Sequence, residues 1–106
     1  GHLLLIPTVE AARIQDLPAE TLAGLGDVIA RGTRCLYRAL ECDAVSVLLR
    51  DGPAAGQEVP HVHWHLIPRD QGDDPHLFAG GSYGDTDAVR ERRMQDMLHR
   101  LQACWL

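Results

Sequence analysis

Apolar and polar positions follow two different periods along this chain. Leu22, Leu25, Val28, Ile29, Leu36 and Leu40 recur at helical spacing, which puts them on one side of a helix and makes that side core. The helix opens at Leu17-Pro18-Ala19-Glu20, with proline and a carboxylate suited to a first turn, and runs to about Glu41. Gly24, Gly26 and Gly32 weaken it without ending it. From Val59 to Ile67 the period is two. Val62, Trp64 and Leu66 alternate with His61, His63 and His65, so an extended strand sends three apolar side chains to a core and three imidazoles to the opposite face.

Shorter runs complete the pattern. Leu3 to Ile6, closed by Pro7, predicts a buried strand. Ala44 to Arg50 predicts another, and the turn from Asp51 to Gln57 returns the chain to the histidine strand as its antiparallel partner. Gln71 to Gly84 is a polar, glycine-rich loop. A second helix runs from about Asp87 to Gln102, with Met94, Met97, Leu98 and Leu101 on its apolar side and Arg90, Arg92, Arg93 and Arg100 in solvent. Strands and helices segregate without β-α-β repetition. The expected class is therefore α+β: an antiparallel sheet with a long helix and a C-terminal helix packed on it.

Composition narrows the function. A chain of 106 residues makes one domain with one core. A formal charge of -5 argues against a general nucleic-acid binder, whose affinity needs clustered cations. No run approaches the ~20 apolar residues of a membrane span, and Leu3 to Ile6 lacks the length and basic flank of a signal peptide. Cys35, Cys42 and Cys104 are odd in number and have no C-x-x-C spacing, which predicts reduced, mostly buried thiols of a cytoplasmic protein. All 10 basic residues are arginine, so no lysine can serve as base or Schiff-base former. That bias is also what a GC-rich bacterial genome produces.

The histidine row calls for chemistry. Imidazole acts as nucleophile, acid, base or metal ligand near neutral pH. A single strand histidine is usually a surface or hydrogen-bonded core residue, but three within five residues, separated by large apolar side chains, fit neither that pattern nor a histidine-rich tract. Two histidines at i and i+2 can share a zinc ion, and a third ligand with an open position would make a hydrolytic metal site. Three same-face positions, however, span about 13 Å at ~3.3 Å per residue, which suits a line of substrate atoms better than one tetrahedral ion. An extended phosphate chain is such a line. The turn Asp51-Gly52-Pro53-Ala54-Ala55-Gly56-Gln57 can offer backbone N–H groups to its oxygens.

The run from Asp51 to Arg69 resembles the signature of the histidine triad (HIT) superfamily of nucleotide hydrolases and transferases, nearest to its fragile-histidine-triad-like branch and to bacterial members. The opening Gly1-His2-Leu3-Leu4-Leu5-Ile6-Pro7 and the segment Asp16-Leu17-Pro18 are similar to the family's as well, so the resemblance is close from Gly1 to about Asp73. It implies a single HIT-like domain that lacks the N-terminal hairpin segment closing one side of the nucleotide pocket. It also implies attack by His63 on the α-phosphate of a nucleoside phosphate derivative, such as a dinucleoside polyphosphate or an adenylate phosphoramidate, through a nucleotidyl-His63 intermediate. In that scheme the backbone carbonyl of His61 orients the His63 ring, and His65 donates to the phosphate or protonates the leaving group. His2 completes the imidazole network from the neighbouring strand, while Gln57 and the N–H groups from Gly56 to Val59 cradle phosphate oxygens.

Two positions depart from the family pattern. Arg50 stands where an amide side chain usually contacts the α-phosphate, and Glu58 stands where a small hydroxyl residue often meets the leaving group. Arginine there could bind phosphate bidentately or be an ordinary strand-end charge. The resemblance implies no required cofactor and no metal held by the triad, with at most a divalent cation accompanying a polyphosphate substrate, and it implies a homodimer. Two other functions stay open at this point: a nucleotide-binding or interaction module with little turnover, and a zinc-dependent hydrolase.

Overall fold

The computed structural model describes residues 1–74 and 87–105, the second span without the side chains of 87–91, 93 and 94. Three strands, β1 (Leu3–Leu5), β2 (Ala44–Leu49) and β3 (Trp64–Arg69), form an antiparallel sheet in the order β1-β3-β2. Two helices, α1 (Ala19–Leu40) and α2 (Asp87–Trp105), pack against each other, and α1 lies on the sheet. The α+β class read from the segregated periods is the one observed.

Register explains which side chains meet. Leu66 of the central strand sits between Leu3 and Val47, His65 between Leu4 and Leu48, and Trp64 between Leu5 and Leu49. Directly opposed residues share a face, so the leucine and tryptophan positions join the helices while the His65 row points away from them. Val62, Trp64 and Leu66 are all buried. The core has two parts: Leu66 with Cys35, Leu36, Ala39, Cys42 and Leu101, and Val62 and Trp64 with Ala11 and Leu17. Gly32 permits the first of these, because a Cβ there would stand 2.6 Å from Leu66 Cδ1. The Cys35 thiol donates to the Leu101 carbonyl at 3.1 Å, tying α1 to α2.

Several boundaries differ from the sequence reading. The histidine strand begins at Trp64, not Val59, and runs on through Pro68 to Arg69. β1 ends at Leu5 before Pro7, and β2 ends at Leu49 before the turn, so residues 59–63 have no ladder partner on either side. That stretch still approaches the core, with the Val62 N–H donating to the Ala11 carbonyl at 2.8 Å. Its side-chain alternation survives although the ladder does not.

Leu22 and Val28, expected in the core, are exposed. At ~1.5 Å per residue α1 is about 33 Å long, whereas a six-residue strand covers about 20 Å, so the N-terminal half of the helix overhangs the sheet. Leu98, expected on the apolar side of α2, is exposed at 48%. The stripe that packs on the core there is Leu101, buried, with the partly buried Met97, Cys104 and Trp105, and it extends past the expected end at Gln102. Met94, Arg90, Arg93 and the loop beyond residue 74 lie outside the described residues and side chains. All three cysteines are free, Cys35 and Cys42 being buried, and burial raises the proton affinity of both thiolates. Among the described residues no helix is long and apolar enough to cross a membrane.

Candidate active site

The loop from Asp51 to Val59 is built by its own side chains. Asp51 Oδ1 accepts from the Ile14 N–H at 3.0 Å, which fastens the loop to a short 3₁₀ turn at Ile14–Asp16. Gly52 and Gly56 have φ of 99° and 96°, values that favour glycine, and each is covered by a guanidinium, of Arg13 and Arg50 respectively. Gln57 holds the two ends of the loop together. Its Oε1 accepts from the Gly52 N–H at 2.7 Å, and its Nε2 donates to the carbonyls of Ala12 at 2.8 Å and Val59 at 3.0 Å. Both amide hydrogens are thereby used, so the expected phosphate contact of the Gln57 side chain would cost at least one existing bond. The Gly56 N–H donates to the Pro53 carbonyl, and the Gln57 N–H to the Gly52 carbonyl. Within the expected cradle, the Glu58 and Val59 N–H groups have no protein acceptor among the described residues.

Beyond the loop the imidazoles form a relay, not an evenly spaced row. His61 turns its ring to the end of β1, and its Nε2 lies 2.9 Å from the Pro7 carbonyl. The His61 backbone carbonyl lies 2.7 Å from His63 Nδ1. A carbonyl can only accept, so the His63 proton sits on Nδ1, and in the neutral ring the lone pair is on Nε2. The His63 ring meets His65 edge-on, with centroids 4.9 Å apart and an interplanar angle of 67°. His65 Nδ1 is 3.0 Å from His2 Nε2, contributed by the strand alongside.

His65 is only 8% exposed, in contrast to the freely solvated imidazole of an ordinary surface site. Burial, then the neighbouring charges of His2, His63 and Arg50, lower its pKa from 6.5 to about 4. It is neutral at pH 7. Burial likewise lowers His2, helped by the chain's amino terminus and by Arg69. Arg50 is half-buried, packed on Gly56 and near enough to His65 to act on its titration, so it belongs to the histidine side of the sheet.

Next to the relay opens a cleft of about 210 Å³ lined by Leu4, Ile6, Val59, His61 and His63. Leu4, Ile6 and Val59 are 49%, 56% and 59% exposed, an apolar wall facing two imidazoles. Among the described residues no group of three His, Cys, Asp or Glu side chains is arranged to hold a metal ion. The structure thus brings His2, His61, His63, His65, Arg50 and Val59 to one side of the sheet, and makes Gly56 and Gln57 the framework of the adjoining loop.

Sequence reasoning missed Arg69. It is buried, its Nε donates to Ser46 Oγ at 3.1 Å, and its charge reaches His2. The only available signal was an arginine placed directly after Ile67-Pro68, which reads as a strand end. Ser46 pairs with Ile67, two positions from that arginine and on the same face of the ladder, a relation that only the register reveals.

The described residues thus define an α+β protein with a three-stranded sheet, helices on one face and a histidine relay on the other. The chain belongs to the HIT family: the model described as "HIT domain" matches residues 1–72. It is 37% identical over 87 residues to adenosine 5'-monophosphoramidase of Saccharomyces cerevisiae, covering 82% of this chain and 52% of that protein. It is 36% identical over 73 residues to the asymmetrical bis(5'-nucleosyl)-tetraphosphatase of Schizosaccharomyces pombe, covering 69% of this chain and 40% of that one. The chain thus spans about half the length, or less, of these curated relatives. Its structure is similar to that of a Zn-bound histidine triad family protein from Mycobacterium smegmatis, with TM-score 0.71 and 32% identity over 96% of this chain and 69% of the other.

Proposed function

We propose that this chain carries the catalytic histidines of a nucleotide hydrolase or transferase, acting on a nucleoside phosphate derivative such as a dinucleoside polyphosphate or an adenylate phosphoramidate. The observation that supports it most is the 2.7 Å contact between His63 Nδ1 and the His61 carbonyl, which leaves the His63 Nε2 lone pair for attack. In the proposed reaction Nε2 attacks the α-phosphorus, an N–P bond forms, and the bond from phosphorus to the leaving oxygen or nitrogen breaks, its electron pair going to the leaving group, which takes a proton from solvent water. Water then attacks the nucleotidyl-His63 and releases the nucleotide; another acceptor in place of water makes the protein a transferase.

Neighbouring groups have distinct parts in this scheme. A neutral His65 stabilises phosphate as a hydrogen-bond donor, since a pKa of about 4 leaves it a negligible reserve of acid at pH 7. When His2 Nε2 donates to His65 Nδ1, the remaining His65 proton is on Nε2, available to substrate. Arg50 and the Glu58 and Val59 N–H groups complement phosphate charge, and the Leu4, Ile6 and Val59 wall takes the nucleoside's apolar ring. No step here is routed through a metal. The relatives named a monophosphoramidase and a tetraphosphatase favour nucleotidyl substrates of the same kind, and two copies of the chain make the working unit, a homodimer in the cytoplasm.

The test is turnover of a panel of dinucleoside polyphosphates and adenosine phosphoramidates, with acid-quenched samples analysed by mass spectrometry for adenylate on His63. Turnover with a transient adducted His63 is the expected result. Turnover without any adduct in rapid-quench samples would exclude covalent catalysis, and tight nucleotide binding without turnover would leave a binding module.

A further inference from the structure

On the helical face of the molecule, away from the histidines, Arg31, Arg34 and Arg38 project from α1 at i, i+3 and i+7 and line a cleft of about 440 Å³ together with Cys104 and Trp105 of α2. That spacing sets the three guanidiniums on one stripe about 10 Å long, at ~1.5 Å per residue. Like charges a turn apart on a helix repel. None of the three forms an ion pair with a carboxylate among the described residues, although Asp27 and Glu41 lie within a turn. The chain as a whole carries -5, so this concentration of positive charge runs against its overall field.

The back of the cleft is an aromatic platform. Trp105 packs across Gly32, where a Cβ would stand 3.8 Å from the indole, and Arg31 lies over the ring at 5.9 Å from its centroid. Arg31 is held by that stacking, while Arg34 and Arg38 complete the line. A line of cations with no acidic partner among the described residues, in a cleft of small-molecule size, matches a linear anion better than a point charge.

We infer that the cleft lined by Arg31, Arg34, Arg38 and Trp105 is a second anion site that binds a linear polyphosphate, either as a free chain or as the tail of a nucleotide, separate from the histidine side of the sheet. The site needs neither His63 nor Arg50 and stands whether or not the histidines are catalytic. Guanidiniums in solvent are screened, so binding falls steeply as salt is raised.

Isothermal titration of the 106-residue chain with sodium tripolyphosphate, pyrophosphate and phosphate at low and high salt tests it, with Trp105 fluorescence as a second readout. Affinity should tighten with each added phosphate, and Arg34→Glu with Arg38→Glu should weaken tripolyphosphate at least tenfold while leaving the circular dichroism spectrum unchanged. At the Trp105 signal, which reports this cleft alone, His63→Asn and Arg50→Ala should bind it as the parent does. The fluorescence response should disappear in Trp105→Phe. ATP that displaces tripolyphosphate at the Trp105 signal identifies the nucleotide tail as a ligand; ATP that does not identifies the free chain. A response at Trp105 that is absent, or unchanged by the two arginine reversals, or lost with His63→Asn or Arg50→Ala, overturns the inference.

Discussion

At the scale of single residues, the outcome turns on where protons sit. His63 is hydrogen-bonded to a backbone carbonyl, so replacing it removes the proposed nucleophile without disturbing the chain that holds it. His63→Ala or His63→Asn is expected to lower kcat by about three orders of magnitude or more while the fold and nucleotide binding persist, checked by steady-state kinetics beside equilibrium binding. His65 gives a different signature. The unfolded chain takes up its proton near pH 6.5 and the folded chain only near 4, so between those values the unfolded state holds more protons and stability rises with pH. Stability from this group is fully present above about 6.5 and is lost as the solution is acidified toward 4; His2 adds in the same direction. Urea midpoints measured from pH 4 to 7 should climb, and His65→Gln should flatten the climb. An unchanged slope in that variant would mean His65 titrates normally in the folded protein. The histidines themselves were legible in the sequence because three polar residues interrupt a core strand at a fixed period. The use of Gln57 was not, since its partners Gly52, Ala12 and Val59 are brought together only by the folded loop.

At the scale of elements, the helical and two-residue periods were enough to place α1, β1 and β2 to within one or two residues, because burial of one face depends on nothing but side-chain direction. β3 was misplaced by several residues for a physical reason: a ladder needs a partner, and β1 and β2 both stop before reaching residues 59–63. The glycines of α1 separate in the same way. All three weaken a helix by composition, yet a Cβ at Gly24 or Gly26 meets nothing within 4 Å, whereas at Gly32 it meets Leu66 at 2.6 Å. Gly24→Ala and Gly26→Ala should therefore each stabilise by roughly 0.5–1 kcal/mol. Gly32→Ala should destabilise by about 1–3 kcal/mol through overpacking, all three read from denaturant midpoints. Equal effects at the three positions would contradict the close approach of α1 to β3.

At the scale of the molecule, the described residues leave the sheet with an edge strand on each side. Among the described residues β1 and β2 have one neighbour each, and neither Leu3–Leu5 nor Ala44–Leu49 contains the charge, proline or bulge with which edge strands discourage pairing. Apolar side chains are exposed beside both edges: Leu4 and Ile6 on one side, Val47 at 43% on the other. A second copy of the chain would satisfy the β2 edge with backbone hydrogen bonds and cover Val47, the arrangement by which a two-fold dimer extends a sheet across its interface. Light scattering at micromolar concentration should accordingly give the mass of two chains, and Val47→Lys, which sets a charge on that edge, should shift the mass toward one. A single-chain mass for the parent protein throughout the micromolar range would eliminate the dimer, and a two-chain mass unaffected by Val47→Lys would move the interface away from β2.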